Sequence, residues 1–154
     1  MSLNILGYDV GGTKISTVVG NEKGEIISNV RMPTVKHLGK KRLIEELYTM
    51  GDSALKKAHV DKPDLIGVIF AGPVDAKNGV VISSPNIFGL NNFNIVEPLE
   101  KYYKTKTYLE NDATAAGRRV RAHRDHGEWP KMRMRSQRLP GGPCWWQRNS
   151  KESY

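Results

Sequence analysis

Leu3-Asn4-Ile5-Leu6-Gly7-Tyr8-Asp9-Val10-Gly11-Gly12-Thr13-Lys14-Ile15-Ser16-Thr17-Val18-Val19-Gly20 is the stretch that decides the fold. Two apolar, β-branched runs, Ile5 to Val10 and Ile15 to Val19, flank Gly11-Gly12-Thr13-Lys14, a pattern that predicts two strands joined by a hairpin turn. Adjacent glycines let backbone N–H groups converge on one concavity, Thr13 adds a hydroxyl and Lys14 a cation. Asp9 ends the first strand, where a carboxylate can hold a hydrated Mg²⁺. Such a turn suits a phosphate-bearing ligand. An ordinary Gly-Gly hairpin with solvated Asp9 and Lys14 fits these residues equally well, because glycine-rich turns are common.

Around this stretch, the 154 residues allow one domain or one lobe of something larger. No run approaches the roughly 20 apolar residues of a membrane span, and the start lacks a basic-then-apolar signal pattern. A cytoplasmic location and no membrane partner are therefore expected. The single cysteine, Cys144, excludes an intramolecular disulfide framework and a Cys-rich zinc site. The net charge of +8 is unevenly spread. Residues 1 to 117 carry 14 Lys/Arg against 13 Asp/Glu, whereas 118 to 154 carry 10 against 3. That second segment also holds Trp129, Trp145 and Trp146. Two compositions share one chain, and the boundary is drawn at 117/118.

Ile26 to Met32 reads as a third strand, reached through the Asn21-Glu22-Lys23-Gly24 turn, so the first three strands form a meander. Pro33 stops it. Leu43, Ile44, Leu47, Ala54, Leu55 and Ala58 recur at helical spacing between about Lys40 and Ala58 and predict one apolar face laid on the sheet. His37, ahead of this helix, reads as a surface residue. Leu65 to Phe70 is nearly all apolar and predicts a strand inside the sheet, buried on both faces. It ends at Ala71-Gly72-Pro73-Val74-Asp75, where small residues permit close backbone approach to a ligand.

Gly79 to Ile82 is a short apolar piece before Ser83-Ser84-Pro85-Asn86, and Asn86 offers an amide able to donate and accept. Simple turn chemistry also accounts for both places. Ile95 to Tyr102 predicts a helix with Ile95, Val96, Leu99, Tyr102 and Tyr103 on its apolar stripe, and Thr105 to Leu109 a strand. That strand delivers Glu110-Asn111-Asp112 to a helix opening with Ala113-Thr114-Ala115-Ala116. Asp and Asn are favoured helix caps, which is the plain account of these residues. The functional account is a general base, Asp112, accepting a hydroxyl proton during attack on a γ-phosphate, with Asn111 orienting the acceptor.

The ordered set Asp9-x-Gly11-Gly12-Thr13-Lys14, Ala71-Gly72-Pro73-Val74-Asp75, Ser84-Pro85-Asn86 and Glu110-Asn111-Asp112-Ala113-Thr114-Ala115-Ala116 resembles the N-terminal lobe of ROK-family sugar kinases (repressor, open reading frame, kinase). The resemblance covers about residues 3 to 117. It implies an α/β, ribonuclease H-like lobe of the actin and hexokinase superfamily, a mixed sheet with an antiparallel three-strand meander and flanking helices. It implies that Asp9, Gly11, Gly12, Thr13 and Lys14 form a phosphate loop for ATP with Mg²⁺. By the same resemblance Gly72, Asn86 and Asn111 face the sugar, and Asp112 matches the catalytic base. Family members act in a cleft between two lobes that close on substrate.

After Gly117 the family pattern stops. A second phosphate loop, a sugar-ligating Glu and Gly-His pair, the usual Cys/His zinc site and an adenosine pocket would follow. Instead comes Arg118-Arg119-Val120-Arg121-Ala122-His123-Arg124-Asp125-His126-Gly127, then aperiodic Arg- and Trp-rich sequence. His123 and His126 alone make a weak metal pair, so no zinc site is expected in this chain. Shifting the reading frame, with synonymous codons allowed, turns Trp129 to Met132 into Ala-Lys/Glu-Asn/Asp. The same shift can turn Gln137 to Gly142 into Thr-Ser-Thr-Gly-Gly, the type of loop that is missing. The tail therefore reads as out of frame, and the chain as an incomplete, inactive sugar kinase prone to homo-oligomerise through surface meant for a cleft. Two other functions compete: a sugar-responsive ROK regulator without its DNA-binding part, and a nucleic-acid module acting through the basic, Trp-containing tail. Frameshifted GC-rich codons also yield Arg, Pro, Gly and Trp, so nucleic acid is not the expected partner.

Overall fold

The computed structural model describes residues 3–35 and 39–115. His37 and the segment 118–154, with His123 and His126, lie outside them. Strands β1 (Asn4–Val10), β2 (Lys14–Asn21) and β3 (Ile26–Pro33) run antiparallel as the expected meander. The second turn is built by Asn21, whose Oδ1 accepts the N–H groups of Lys23 (3.0 Å) and Glu25 (3.1 Å), while Gly24 takes φ +80°. Helix α1 (Gly39–Ala58) follows, then β4 (Leu65–Phe70) parallel to β1. A small antiparallel sheet comes next, from β5 (Val74–Asp75), β6 (Val80–Val81) and β7 (Phe93–Asn94). Helix α2 (Val96–Tyr103) leads into β8 (Thr107–Asn111), parallel to β4. The main sheet has the order β3-β2-β1-β4-β8.

Alternation places Leu6, Tyr8 and Val10 of β1, Ile15, Thr17 and Val19 of β2, Ile66, Val68 and Phe70 of β4 and Leu109 of β8 on one buried face. The apolar stripe of α1, Leu43, Ile44, Leu47, Met50, Ala54 and Leu55, packs on that face. Tyr8 joins both helices to the sheet: its hydroxyl donates to the Leu47 carbonyl (2.9 Å) and lies 3.3 Å from the Tyr103 hydroxyl.

Two expectations are corrected. β4 is interior to the sheet, but only Ile66, Val68 and Phe70 are buried; Leu65, Gly67 and Ile69 are half-buried, because α1 and α2 cover the same face. Tyr102 is 49% exposed rather than part of a buried stripe. It stacks on Tyr48 at 4.0 Å and donates its hydroxyl to Asp52 at 2.7 Å, so its ring packs on the outside of the α1–α2 contact. Strands β5 and β7 were not legible as strands, and β8 begins two residues later than expected.

Burial raises the ionisation range of Tyr8 well above the usual phenol value, and burial beside the Asp52 carboxylate raises that of Tyr103. Groups that hold their protons more tightly when folded contribute stability below the unfolded-state pKa and lose it as pH climbs through the folded one. Urea midpoints are therefore expected to fall as pH rises above about 10, with a shallower fall in Tyr103→Phe. A Cβ on Gly51 would collide with the hydroxyls of Tyr8 and Tyr103. Gly51→Ala is expected to cost about 1–3 kcal/mol in denaturant unfolding.

Candidate functional site

The three parallel strands end together. Val10 pairs with Phe70, and Phe70 with Asn111. The Gly11-Gly12 turn leaves the first strand end, Ala71-Gly72 the second and Asp112 the third. The diglycine turn and Asp112 therefore stand at one end of the sheet with β4 between them, about 10 Å apart along the hydrogen-bonding direction. The Ala71 N–H, donating to the Val10 carbonyl at 3.0 Å, ties the middle exit to the first.

The turn is held from two sides. Its own closure is the Gly11 N–H donating to the Lys14 carbonyl at 3.1 Å. On one side Thr34 donates its hydroxyl to the Gly11 carbonyl (2.8 Å) and its N–H to the Thr13 carbonyl (2.9 Å). On the other, a Cβ added to Gly12 would lie 2.5 Å from Cγ and Nδ2 of Asn86, so only glycine lets that side chain rest against the turn. Thr13 is exposed; Lys14 is half-buried and opens β2 opposite Pro33.

Asp9, half-buried, alternates onto the sheet face opposite Tyr8 and lies in register with Ser16 and Ile69. Glu110 shares that face next to Ile69. Ser16 is buried, and its hydroxyl has no hydrogen-bond partner among the described residues. No group of three or more His, Cys, Asp and Glu side chains able to hold a metal occurs among the described residues.

Asn86 is exposed on a loop anchored by the buried Ile87 and Leu90 and by the Ser84 hydroxyl, which accepts the Ile87 N–H at 3.0 Å. Asn111 links two elements: its Nδ2 donates to the Gly72 carbonyl (2.5 Å), and its Oδ1 accepts the N–H groups of Ala113 (2.9 Å) and Thr114 (3.2 Å). A Cβ on Gly72 would meet the Ser83 carbonyl at 2.9 Å, so this exit too is tight, against the loop that follows β6. Asn111 is thus the helix cap. Asp112, beside it, is exposed and accepts the Ala113 N–H through Oδ1 at 2.7 Å. Asp75 belongs to a turn instead: hydrogen bonds from Asn78 hold its carboxyl below the usual range and shape the β5–β6 connection.

A strand-end carboxylate such as Asp9 suits a hydrated hard cation, and the N–H groups of a diglycine turn suit a phosphate. Sequence reading missed Thr34 and Ser16. The signal for both was the meander register, which sets residue 34 beside Thr13 and Ser16 across from Asp9.

The sheet order, the meander and the two crossover helices define a lobe of the ribonuclease H-like, actin and hexokinase superfamily. More narrowly, the chain belongs to the ROK family, which matches residues 5–126. A glucokinase from Thermotoga maritima is 31% identical over 113 residues, 73% of this chain and 35% of that protein. A xylose repressor from Caldicellulosiruptor bescii is 23% identical over 131 residues, 84% of this chain and 32% of that protein. Among solved structures, the ROK hexokinase of Thermus thermophilus superposes with a TM-score of 0.67 at 38% identity, covering 74% of this chain and 37% of that one. The Streptomyces griseus ROK glucokinase, solved with glucose and AMPPNP, gives 0.65 at 28%, covering 74% and 35%. The chain thus spans about a third of the length of the relatives it matches. No described helix is long and apolar enough to cross a membrane.

Because Asn111 serves both the Gly72 carbonyl and the helix start, Asn111→Ala is expected to lower stability by about 1–2 kcal/mol in urea unfolding. Asn111→Asp, which keeps the cap and loses the donor, is expected to lower it less.

Proposed function

We propose that this chain is one lobe of an ATP-dependent hexose kinase. The observation that carries the reading is the shared sheet end: the diglycine turn leaves β1 and Asp112 follows β8, with only β4 between them. The Streptomyces griseus relative, solved with glucose and AMPPNP, supports a hexose and ATP as the substrates in this reading. In this reading the turn N–H groups, Thr13 and Lys14 hold phosphate, and Asp9 holds Mg²⁺ through water. The metal, when bound, neutralises charge developing on the phosphate oxygens.

Gly72, Asn86 and Asn111 fix the sugar, and Asp112 takes the proton of the attacking hydroxyl. The sugar oxygen forms a bond to the γ-phosphorus as the bond to the β–γ bridging oxygen breaks, leaving hexose phosphate and ADP. Positioning and electrostatic stabilisation supply most of the rate in such a transfer, and one lobe provides part of each. The chain is accordingly proposed to be cytoplasmic, self-associating and nearly inactive alone, and residues 118–154 to be an out-of-frame reading. The alternative, a regulatory ROK protein, draws on the likeness to the xylose repressor.

A coupled assay with glucose and MgATP is expected to give little turnover for residues 1–154; robust turnover would show that this lobe is sufficient. The nucleotide sequence beyond codon 117 is expected to contain an inserted or lost base. The complete in-frame protein is expected to phosphorylate a hexose, with kcat falling about 10²–10⁴-fold in Asp112→Asn. Sugar binding without phosphoryl transfer by that protein would favour the regulator.

A further inference from the structure

Thr34 lies just past β3, outside every motif that marks the site, yet it makes two hydrogen bonds to the diglycine turn. Its hydroxyl donates to the Gly11 carbonyl at 2.8 Å and its N–H to the Thr13 carbonyl at 2.9 Å. A trans peptide is planar, with its C=O and the following N–H pointing to opposite sides. None of the described peptide bonds is cis. Holding the Gly11 carbonyl therefore turns the Gly12 N–H away from Thr34, and holding the Thr13 carbonyl does the same to the Lys14 N–H. Without the hydroxyl, the Gly11–Gly12 peptide has two glycine neighbours' worth of rotational freedom and can present its carbonyl, which repels an anion, in place of its N–H. Asn86 occupies the space a Gly12 Cβ would take.

We propose that Thr34 is the positioning residue of the anion-binding turn: its two hydrogen bonds orient the Gly12 and Lys14 N–H groups toward the phosphate chain of the nucleotide. This rests on the kinase reading. Thr34 touches the turn and acts through it, so its effect is on phosphate binding and not on the sugar.

The test uses ¹⁵N-labelled chain 1–154 titrated with inorganic tripolyphosphate and Mg²⁺, following the Gly12 and Lys14 amide resonances. In the unsubstituted chain both are expected to shift saturably at millimolar probe. Thr34→Val, which removes the hydroxyl and keeps the N–H, is expected to weaken binding about five- to tenfold, the effect of losing one ordering hydrogen bond. It should leave the Tyr8, Val68 and Leu109 amides of the sheet interior in place. Thr34→Ser is expected to restore the affinity. Equal affinity in Thr34→Val, or no rescue by Thr34→Ser, overturns the role of Thr34 alone. A Thr34→Val chain whose sheet-interior amides also move overturns it in favour of a general packing role. Gly12 and Lys14 amides that stay fixed in the unsubstituted chain overturn the anion-binding role of the turn and of Thr34, whereas the kinase reading falls only if the complete in-frame protein phosphorylates no hexose.

Discussion

The parallel register across β1, β4 and β8 is the constraint on which the rest depends. Val10, Phe70 and Asn111 are aligned, so three chain exits meet at one end of the sheet. Side chains alternate with period two, and a one-residue slip in any of these strands would exchange its two faces. In β1 that slip would expose Tyr8, with its contacts to both helices, and carry the Asp9 carboxylate into the core. Burial of Leu6, Tyr8 and Val10 therefore fixes, by the same register, where Asp9 can be. Core packing and the placement of a hydrophilic strand end are one decision in this sheet.

The helices transmit that register to the third strand. The Asp52 carboxylate accepts hydroxyls from both Tyr102 (2.7 Å) and Tyr103 (3.1 Å), and Tyr48 donates to the Pro98 carbonyl (3.0 Å), so α1 and α2 are joined by directional bonds as well as by packing. Gly51 leaves the space in which the Tyr8 and Tyr103 hydroxyls meet. Past α2, the Glu100 carboxylate accepts the Thr107 N–H at 2.9 Å and sets the first residue of β8. From there five residues of ladder lead to Asn111. The position of Asp112 thus follows from contacts made on the far side of the core.

What the sequence made legible was what local chemistry decides. Gly11-Gly12 marks one turn, Asn21 to Gly24 closes another through its own hydrogen bonds, and the period of Leu43, Leu47, Ala54 and Leu55 fixes α1. The four ordered motifs carry the family resemblance by themselves. The departures share one cause, partners distant in sequence. β5 and β7 are two residues each, too short to carry a period, and exist because β6 pairs with both. Thr105 and Lys106 read as strand, but the Thr105 hydroxyl, a single donor, lies within hydrogen-bond distance of the carbonyls of Pro63 (2.9 Å) and Tyr103 (3.0 Å), which holds that residue in the helix exit. β4 looked doubly buried because Leu65, Val68 and Ile69 are apolar; which face is covered depends on helices far along the chain. Thr34 carried no local signal at all.

The division of labour between Asn111 and Asp112 shows how a capping pair and a candidate base can occupy adjacent positions without conflict. A helix start needs acceptors for its first free N–H groups. Asn111 meets that need for Ala113 and Thr114 with an uncharged oxygen, while its amide nitrogen ties β8 to the Gly72 exit. Asp112 shares only the Ala113 N–H, through one oxygen, and stays exposed. Had the cap been Asp112, its carboxylate would be turned onto the backbone and taken out of reach of any substrate hydroxyl. With the neutral residue one position earlier doing the capping, the second carboxylate oxygen remains outside these backbone bonds, at the same end of the sheet as the glycine turn.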